Sequence, residues 1–590
     1  MFFTLAISAQ DPDRCAALTL RTCGIDTRTM PIPGPAQVVW RAPGGRAAMI
    51  RWGSPFAGPG RDAGRPAGSA AGAGKAEGAE GAVTGPSPAS YAGTIWMAGD
   101  AGGTVCARTG ITRVDPVYVT LADGAVIVSD RATWAAAAAG RLGDADPLAW
   151  GALLSLGYPA GDVTPFAGVR ALGPAASFQV SDGAVSEQER AGLPEPGDGG
   201  APAAARVAEA LVQALTPLQD QAEPVELSLT GGKDSRLIAA ALATAGVPVR
   251  ARTYGFPDHP DVVIAGLVAR ELGIEHVVAG PRTAGGGTGP GSGATVQEVD
   301  VLGRVRATVL VADGMLSAFE NVGRPDPDTA SAHVVVGGHG GELLRGGYAK
   351  IIPGTAARRT AASAELLRRL AMRRAPLLRA RWRTAYLASL APWVAAVARR
   401  PYPGLDDFYL TNRAGRWSAA ARQAYAIRST MVQPFFDDKV VRAARSVPLA
   451  ERMDDRLLRG AIAALHPPLL DIPLAADQWK SGGAPPSPAP AGAAAAHPAA
   501  ARASQRAAFD WRRGYGDEVA GFLRDYIIDL GSAGGLFSVI SRPAADRLLR
   551  PPHADPVTVW ALATLAALAS QDWLSAREPA GRTFAIPVPA

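Results

Sequence analysis

"VELSLTGGKDSRLIAAAL", residues 225–242, joins a short apolar run to a helical pattern through two glycines, a lysine, an aspartate and two hydroxyl residues. In a parallel α/β sheet, ligands bind beyond the carboxyl ends of strands, where a following helix offers free N–H groups and the positive end of its dipole. Gly231 and Gly232 permit a tight turn and close backbone approach, and Thr230 and Ser235 add hydroxyls, which together make a phosphate-sized cradle. The spacing of a Walker loop is absent, and an aspartate follows the lysine. A carboxylate beside a phosphate is repulsive unless a cation lies between them, so Asp234 implies Mg²⁺. The same residues also read as a structural glycine turn with a helix cap at Asp234 or Ser235.

Outward from this stretch, strands alternate with helices. "AAARVAEALVQAL", "PVELSL", "SRLIAAALATAG", "VPVRARTYG", "DVVIAGLVARELG" and "EHVVAG" follow one another from Ala203, which predicts a parallel α/β sheet. A Gly-rich stretch, "TAGGGTGPGSGA", intervenes before a further strand, "AHVVVGGHGGELLRGGY", and beyond Lys350 the pattern is nearly all helical. Before Ala203 the chain is mostly β, with Asp-Gly turns in "PVYVTLADGAVIVSD" and "SFQVSDGAVSE" and one helical section, "DPLAWGALLSLGY". Two domains follow from these shifts: residues 1–195, with a low-complexity insert at 55–90, and residues 200–590, with another at 485–504. The sequence has no internal repeats.

Composition narrows the function classes. The chain has 590 residues, 48% of them hydrophobic, enough for more than one domain core. Its net charge is +6, but the basic residues are nearly all arginines spread along the chain, without interleaved aromatics, so nucleic acid is not an expected partner. The densest basic segment, Arg358 to Arg383, reads as a solvated helix face, or as a docking surface for an acidic peptide. Cys15, Cys23 and Cys106 form neither a zinc pattern nor a disulfide framework, which fits a reducing cytoplasm. The longest apolar run, "VTVWALATLAALAS", is short of a membrane span and reads as a buried helix.

The second glycine loop, "VVVGGHGGELLRGGYAK", again follows a strand, and its Glu342 supplies a second carboxylate for a metal. With these loops in hand the chain resembles the asparagine synthetase family of ATP pyrophosphatases. "SLTGGKDSR" is similar to that family's pyrophosphate loop, with Thr230 in place of its first serine; "GGHGGELLRGGY" is similar to its second signature, Gly-Glu-Gly-Ser-Asp-Glu before Phe-Gly-Gly-Tyr. "VQPFFDDKVVRAARSVP" and "PLAADQWKSGG" resemble two further segments, the latter around an active-site lysine, and residues 142–180 resemble the end of a class II glutamine amidotransferase domain.

The resemblance implies a fold and a site. The fold is an α+β, glutamine-amidotransferase-like β-sandwich domain lacking its nucleophile, followed by an α/β ATP-pyrophosphatase (HUP-like) synthetase domain with a helical C-terminal part. Thr230, Gly231, Gly232, Asp234 and Ser235 would hold the ATP phosphates, bordered by Ser228 and Gly338, with adenine near Thr253 and Tyr254. Asp234 and Glu342 would ligate Mg²⁺, and Lys480 would stabilise charge on the adenylate or the tetrahedral intermediate.

Two departures bear on the reaction. Family members that hydrolyse glutamine expose a catalytic cysteine after the initiator methionine; Phe2 stands there, so glutaminase activity is not expected and the nucleophile should be an amine of the substrate. His339 stands where asparagine synthetases have glutamate and β-lactam synthetases tyrosine, which makes it a candidate base for the attacking amine or a hydrogen-bonded loop histidine. The resemblance is greatest to actinobacterial lasso peptide macrolactam synthetases, which adenylate an Asp or Glu side chain of a core peptide and close a ring on its N-terminal amine. Such an enzyme works with a leader-binding protein and a leader peptidase, and needs neither nucleic acid nor a membrane. A β-lactam synthetase or another small-molecule amide synthetase, and less closely a glutamine-independent asparagine synthetase-like ligase, are the alternatives.

Overall fold

The structure is a computed structural model that describes residues 2–7, 37–41, 47–52, 105–181, 184–189, 202–255, 257, 259–279, 296–322, 334–426, 429–453, 455–475, 511–550, 555–575 and 582–587. Among the described residues the first region carries nine strands: β1 (Phe2–Ile7), β2 (Gln37–Arg41), β3 (Ala47–Trp52), β4 (Val105–Arg108), β5 (Tyr118–Ala122), β6 (Ala125–Ser129), β7 (Arg170–Ala171), β8 (Ala176–Ser181) and β9 (Ala184–Glu189). They form an antiparallel sheet of order β2-β3-β1-β6-β5-β7 and a second of order β4-β8-β9. The turn between β5 and β6 is the expected Asp-Gly hairpin: Asp123 and Gly124 both take positive φ, 53° and 74°, the conformation that matches the twist of the flanking strands.

The second region is built on β10 (Val225–Ser228), β11 (Val249–Tyr254), β12 (Glu275–Ala279), β14 (Val334–Gly337) and β15 (Thr430–Val432), which form a parallel sheet of order β12-β11-β10-β14-β15. A separate pair, β13 (Val296–Val299) and β16 (Phe584–Pro587), is antiparallel. Strand order reverses between β10 and β14, and at such a switch point the loops leaving two adjacent strands diverge and open a crevice at their carboxyl ends. Leu227, Leu237, Ile238, Leu242, Val336 and Leu458 are almost fully buried between the sheet and its helices. Each such side chain contributes roughly 2 kcal/mol on burial. That anchors the strand ends on which the loops sit.

The helical part beyond Lys350 includes Ala356–Met372 and Ala380–Arg399, so the arginine-rich segment is two helices with a break between them. The apolar run near the C-terminal end forms the buried helix Pro556–Ser570. Among the described residues no helix is long and apolar enough to cross a membrane. One buried cluster joins Trp134, Trp150 and Phe166 of the first region to Leu310, Tyr386, Leu523, Trp560 and Trp573, so the first region packs directly against the helical part.

Candidate functional site

The first loop leaves β10 at Ser228 and enters the helix Lys233–Thr244 through Gly232, which stands at the N-cap in extended conformation with no side-chain cap. The helix therefore presents its positive end toward the crevice. Ser235 turns back instead of capping: its Oγ accepts from the Thr230 N–H at 3.1 Å and lies 3.0 Å from Thr230 Oγ1. The Gly231 N–H donates to Asp261 Oδ1 at 2.9 Å, and Gly232 N–H to Thr230 Oγ1 at 3.3 Å. Gly231 also has no room for a side chain, because a Cβ there would lie 2.6 Å from that of Ala475. Ala475, whose N–H donates to Gly231 O at 3.1 Å, ends a segment held by the Arg236 guanidinium, which donates to the carbonyls of Leu469, Ile472 and Pro473.

The second loop leaves β14 and makes two short helical turns, Gly341–Arg345 and Gly347–Ile351, bracketed by Gly340 and Gly346 at φ of 99° and 84°. It lies against the first loop. A Cβ at Gly338 would meet Ser235 N at 2.7 Å and Asp234 C at 3.0 Å, and one at Gly341 would sit 2.3 Å from Asp234 Cγ. Glycine is required at both positions for the loops to touch.

Contact of the loops brings four charges together. Asp234 Oδ2 accepts from Arg345 Nη2 at 2.5 Å, and Glu342 Oε1 lies 3.7 Å from Lys350 Nζ. Burial raises the Asp234 pKa above the ordinary carboxylate value, outweighing the pull of Arg345, and the charge of Glu342 pushes the same way. For Glu342 burial also works against the charge, but Lys350, His339 and Arg345 together hold its carboxyl below the usual range. Lys350 is itself lowered by burial, against the attraction of Glu342. Lys233 points elsewhere, pairing with Asp455.

His339 Nε2 lies 2.9 Å from Ser418 Oγ, and its ring packs against Trp417 and Phe436 at centroid distances of 5.4 and 5.8 Å. Ser418 Oγ donates in turn to Arg413 O at 3.4 Å. Burial lowers the His339 pKa, with the charge of Glu342 opposing the shift and that of Arg413 adding to it.

The residues expected from sequence fall in three groups. Ser228, Thr230, Gly231, Gly232, Asp234, Ser235, Gly338, His339 and Glu342 come together at the switch point. Thr253 and Tyr254 lie on the neighbouring β11; the Thr253 hydroxyl is spent on Leu229 O and His276 Nε2, both at 2.8 Å, whereas Tyr254 is exposed. Lys480 lies outside the described residues. Sequence reasoning missed Asp261, Arg345, Lys350 and the helical segment carrying Arg413, Trp417 and Ser418. Arg345 alone had a signal, since it interrupts the second motif where the family has phenylalanine.

A parallel sheet with an uncapped helix at its switch point, Asp234 in that helix's first turn and Glu342 on the facing loop has the elements of an anion-binding crevice. Residues 206–282, which contain the first loop and its flanking strands, match the family model described as asparagine synthase. No curated protein matches the chain.

The site can be tested for Mg²⁺ on one observation: Asp234 Oδ1 is buried with no hydrogen-bond partner. A buried carboxylate oxygen left over from an ion pair suits a cation, and Mg²⁺ is commonly held by one or two carboxylates together with substrate phosphates. Asp234 and Glu342 fit that role. Among the described residues no group of three or more His, Cys, Asp or Glu gathers as an all-protein metal site.

Proposed function

We propose that the chain is an ATP-dependent amide-forming ligase of the lasso peptide cyclase type. The observation that carries this reading is the contact between the two glycine loops, which sets Asp234 of the first against Gly341 of the second at the sheet's switch point. The match of residues 206–282 to the asparagine synthase model supports the nucleotide half of the reading.

In this reading Thr230, Gly231, Gly232 and Ser235, with the uncapped helix Lys233–Thr244, receive the ATP phosphates. Asp234 and Glu342, paired here with Arg345 and Lys350, would hold Mg²⁺, which would supply neutralisation of phosphate charge. An oxygen of an Asp or Glu side chain of the substrate attacks the α-phosphorus, and the bond to pyrophosphate breaks. The substrate's N-terminal amine then attacks the acyl carbon, the bond to AMP breaks, and the amine's proton passes to His339. Lys480 stabilises the developing negative charge. The first region, glutamine-amidotransferase-like in this reading, supplies packing against the second. The protein acts on a peptide delivered by a leader-binding protein and trimmed by a leader peptidase in the cytoplasm.

The test is incubation with ATP, Mg²⁺ and linear peptides that carry a free N-terminal amine and an internal Asp or Glu. A product lighter by one water, with AMP and pyrophosphate formed in equal amount, is expected. Pyrophosphate release with β-amino acids alone moves the assignment to a small-molecule amide synthetase, and release of ADP overturns it.

A further inference from the structure

The helix pair Pro401–Phe408 and Ala419–Ala426 is continuous through Tyr409–Ser418, which is wound as a π-helix. π-Helical turns are rare, cost backbone geometry and recur at functional sites. Here the first region holds the distortion in place. The Arg113 guanidinium donates to Thr411 O at 3.2–3.3 Å, the Gly161 N–H donates to Asn412 Oδ1 at 2.7 Å, and a Cβ on Gly415 would lie 2.5 Å from Thr112 O.

What the π-helix presents is a set of donors without acceptors. Arg413 Cζ stacks 3.4 Å from the centroid of the Trp417 ring. Its guanidinium has no hydrogen bond and no carboxylate among the described residues, although nearly every other buried or half-buried arginine of the second region is paired. Trp417 Nε1 is buried with no hydrogen-bond partner. Beside them His339 lies on the same indole, and the Tyr348 hydroxyl is already committed to Tyr158 at 2.6 Å. Nearby, Tyr348 packs on the buried rings of Phe408 and Tyr409 at centroid distances of 6.2 and 5.3 Å. The positive charge of Arg413 bears on His339, Tyr348 and Tyr409.

We propose that Arg413 and Trp417 form a carboxylate-binding subsite that holds an acidic side chain of the peptide substrate beside His339. A guanidinium fixed flat on an indole keeps its planar fork in one orientation, which matches a carboxylate with two parallel hydrogen bonds. The indole of Trp417 and the imidazole of His339 beside the guanidinium suit a carboxylate borne on short apolar carbons better than a compact inorganic anion. The proposal rests on the ligase reading for the identity of the substrate, but the subsite itself needs no nucleotide.

That independence sets the experiment. Full-length protein is labelled with fluorotryptophan, and the fluorine resonance of Trp417, one of 12 tryptophans, is assigned by its loss in Trp417→Phe. Propionate, which reproduces a glutamate side chain, should shift this resonance saturably, and isosteric neutral propionamide should not. Arg413→Gln should weaken propionate binding at least about ten-fold, as loss of a charge-assisted pair does, with the other resonances unmoved. Arg413→Lys, which keeps the charge without the fork, should fall between and serves if the glutamine variant misfolds. No shift with propionate, an equal shift with propionamide or phosphate, or undiminished binding in both variants overturns the subsite. Binding of a fluorescent ATP analogue with Mg²⁺ is read separately: its absence with the propionate shift intact removes the ligase reading and leaves the subsite, and the converse removes only the subsite.

Discussion

The two glycine loops leave adjacent parallel strands at the same end of one sheet, yet they do different work. The loop at 229–235 spends its polar groups on itself: Thr230, Ser235 and Gly231 are tied together and to Asp261, and the helix behind them is left uncapped. The loop at 337–347 is bonded internally through its backbone, Leu343 N–H to Gly340 O at 2.9 Å and Gly346 N–H to Glu342 O. Its glycines at positive φ turn the chain twice, so that His339, Glu342 and Arg345 project as side chains. A rigid backbone cradle therefore faces a surface of titratable groups. The division suits chemistry in which one side holds a nucleotide and the other handles protons and acceptor.

The comparison can be broken most severely at Gly338. Gly338→Ala puts a methyl against the backbone of Ser235 and Asp234, neither of which can yield as a flexible side chain would. Unfolding in urea should show a loss of about 3 kcal/mol, the upper range for overpacking, and nucleotide binding should disappear. A normal midpoint would mean that the loops do not touch.

His339→Ala removes the proposed acceptor-side base while leaving the cradle intact. Turnover should fall on the order of a hundred-fold, the usual worth of a positioned general base, with ATP affinity unchanged. Equal loss of affinity and turnover would place the histidine in the cradle instead.

Arg345→Leu separates the two charge pairs. It strands the half-buried Asp234 carboxylate, whose pKa burial already raises, and should cost roughly 2 kcal/mol in the absence of Mg²⁺. Millimolar Mg²⁺ with ATP should recover part of that loss, measured as melting temperature.

The smallest effect lies just behind the second loop. Burial lifts Asp437 to about 6, ahead of the backbone bonds from Lys439 and Val440 that favour its charge. Because the folded pKa is above the unfolded one, the stability it contributes is complete below the ordinary carboxyl value and is lost as pH rises through about 6. Asp437→Asn, which keeps an N-cap acceptor, should match the parent at pH near 4 and exceed it by on the order of 1–2 kcal/mol above pH 6.

How much of this was legible in sequence follows the same division. The cradle is local: a strand, two glycines and a helix within 18 residues carry their own periodicity and turn chemistry, and the alternation around them gives the parallel sheet. The Asp-Gly turn after β5 was legible for the same reason. β15 was not, because three residues at the sheet edge leave no periodic signal. Asp261 and Arg345 reach the first loop from 30 and 111 residues away, and Arg413 belongs to a π-helix that looks like any amphipathic helix until it is folded. The acceptor side is a product of tertiary contact, and its residue types gave no pattern to read.

The most direct test is exchange of labelled pyrophosphate into ATP by the full-length protein, compared with Asp234→Asn. The account predicts Mg²⁺-dependent exchange that requires a carboxylate substrate and is lost in the variant, whose circular dichroism matches the parent. Undiminished exchange in Asp234→Asn, or hydrolysis to ADP and phosphate in the parent, would contradict it.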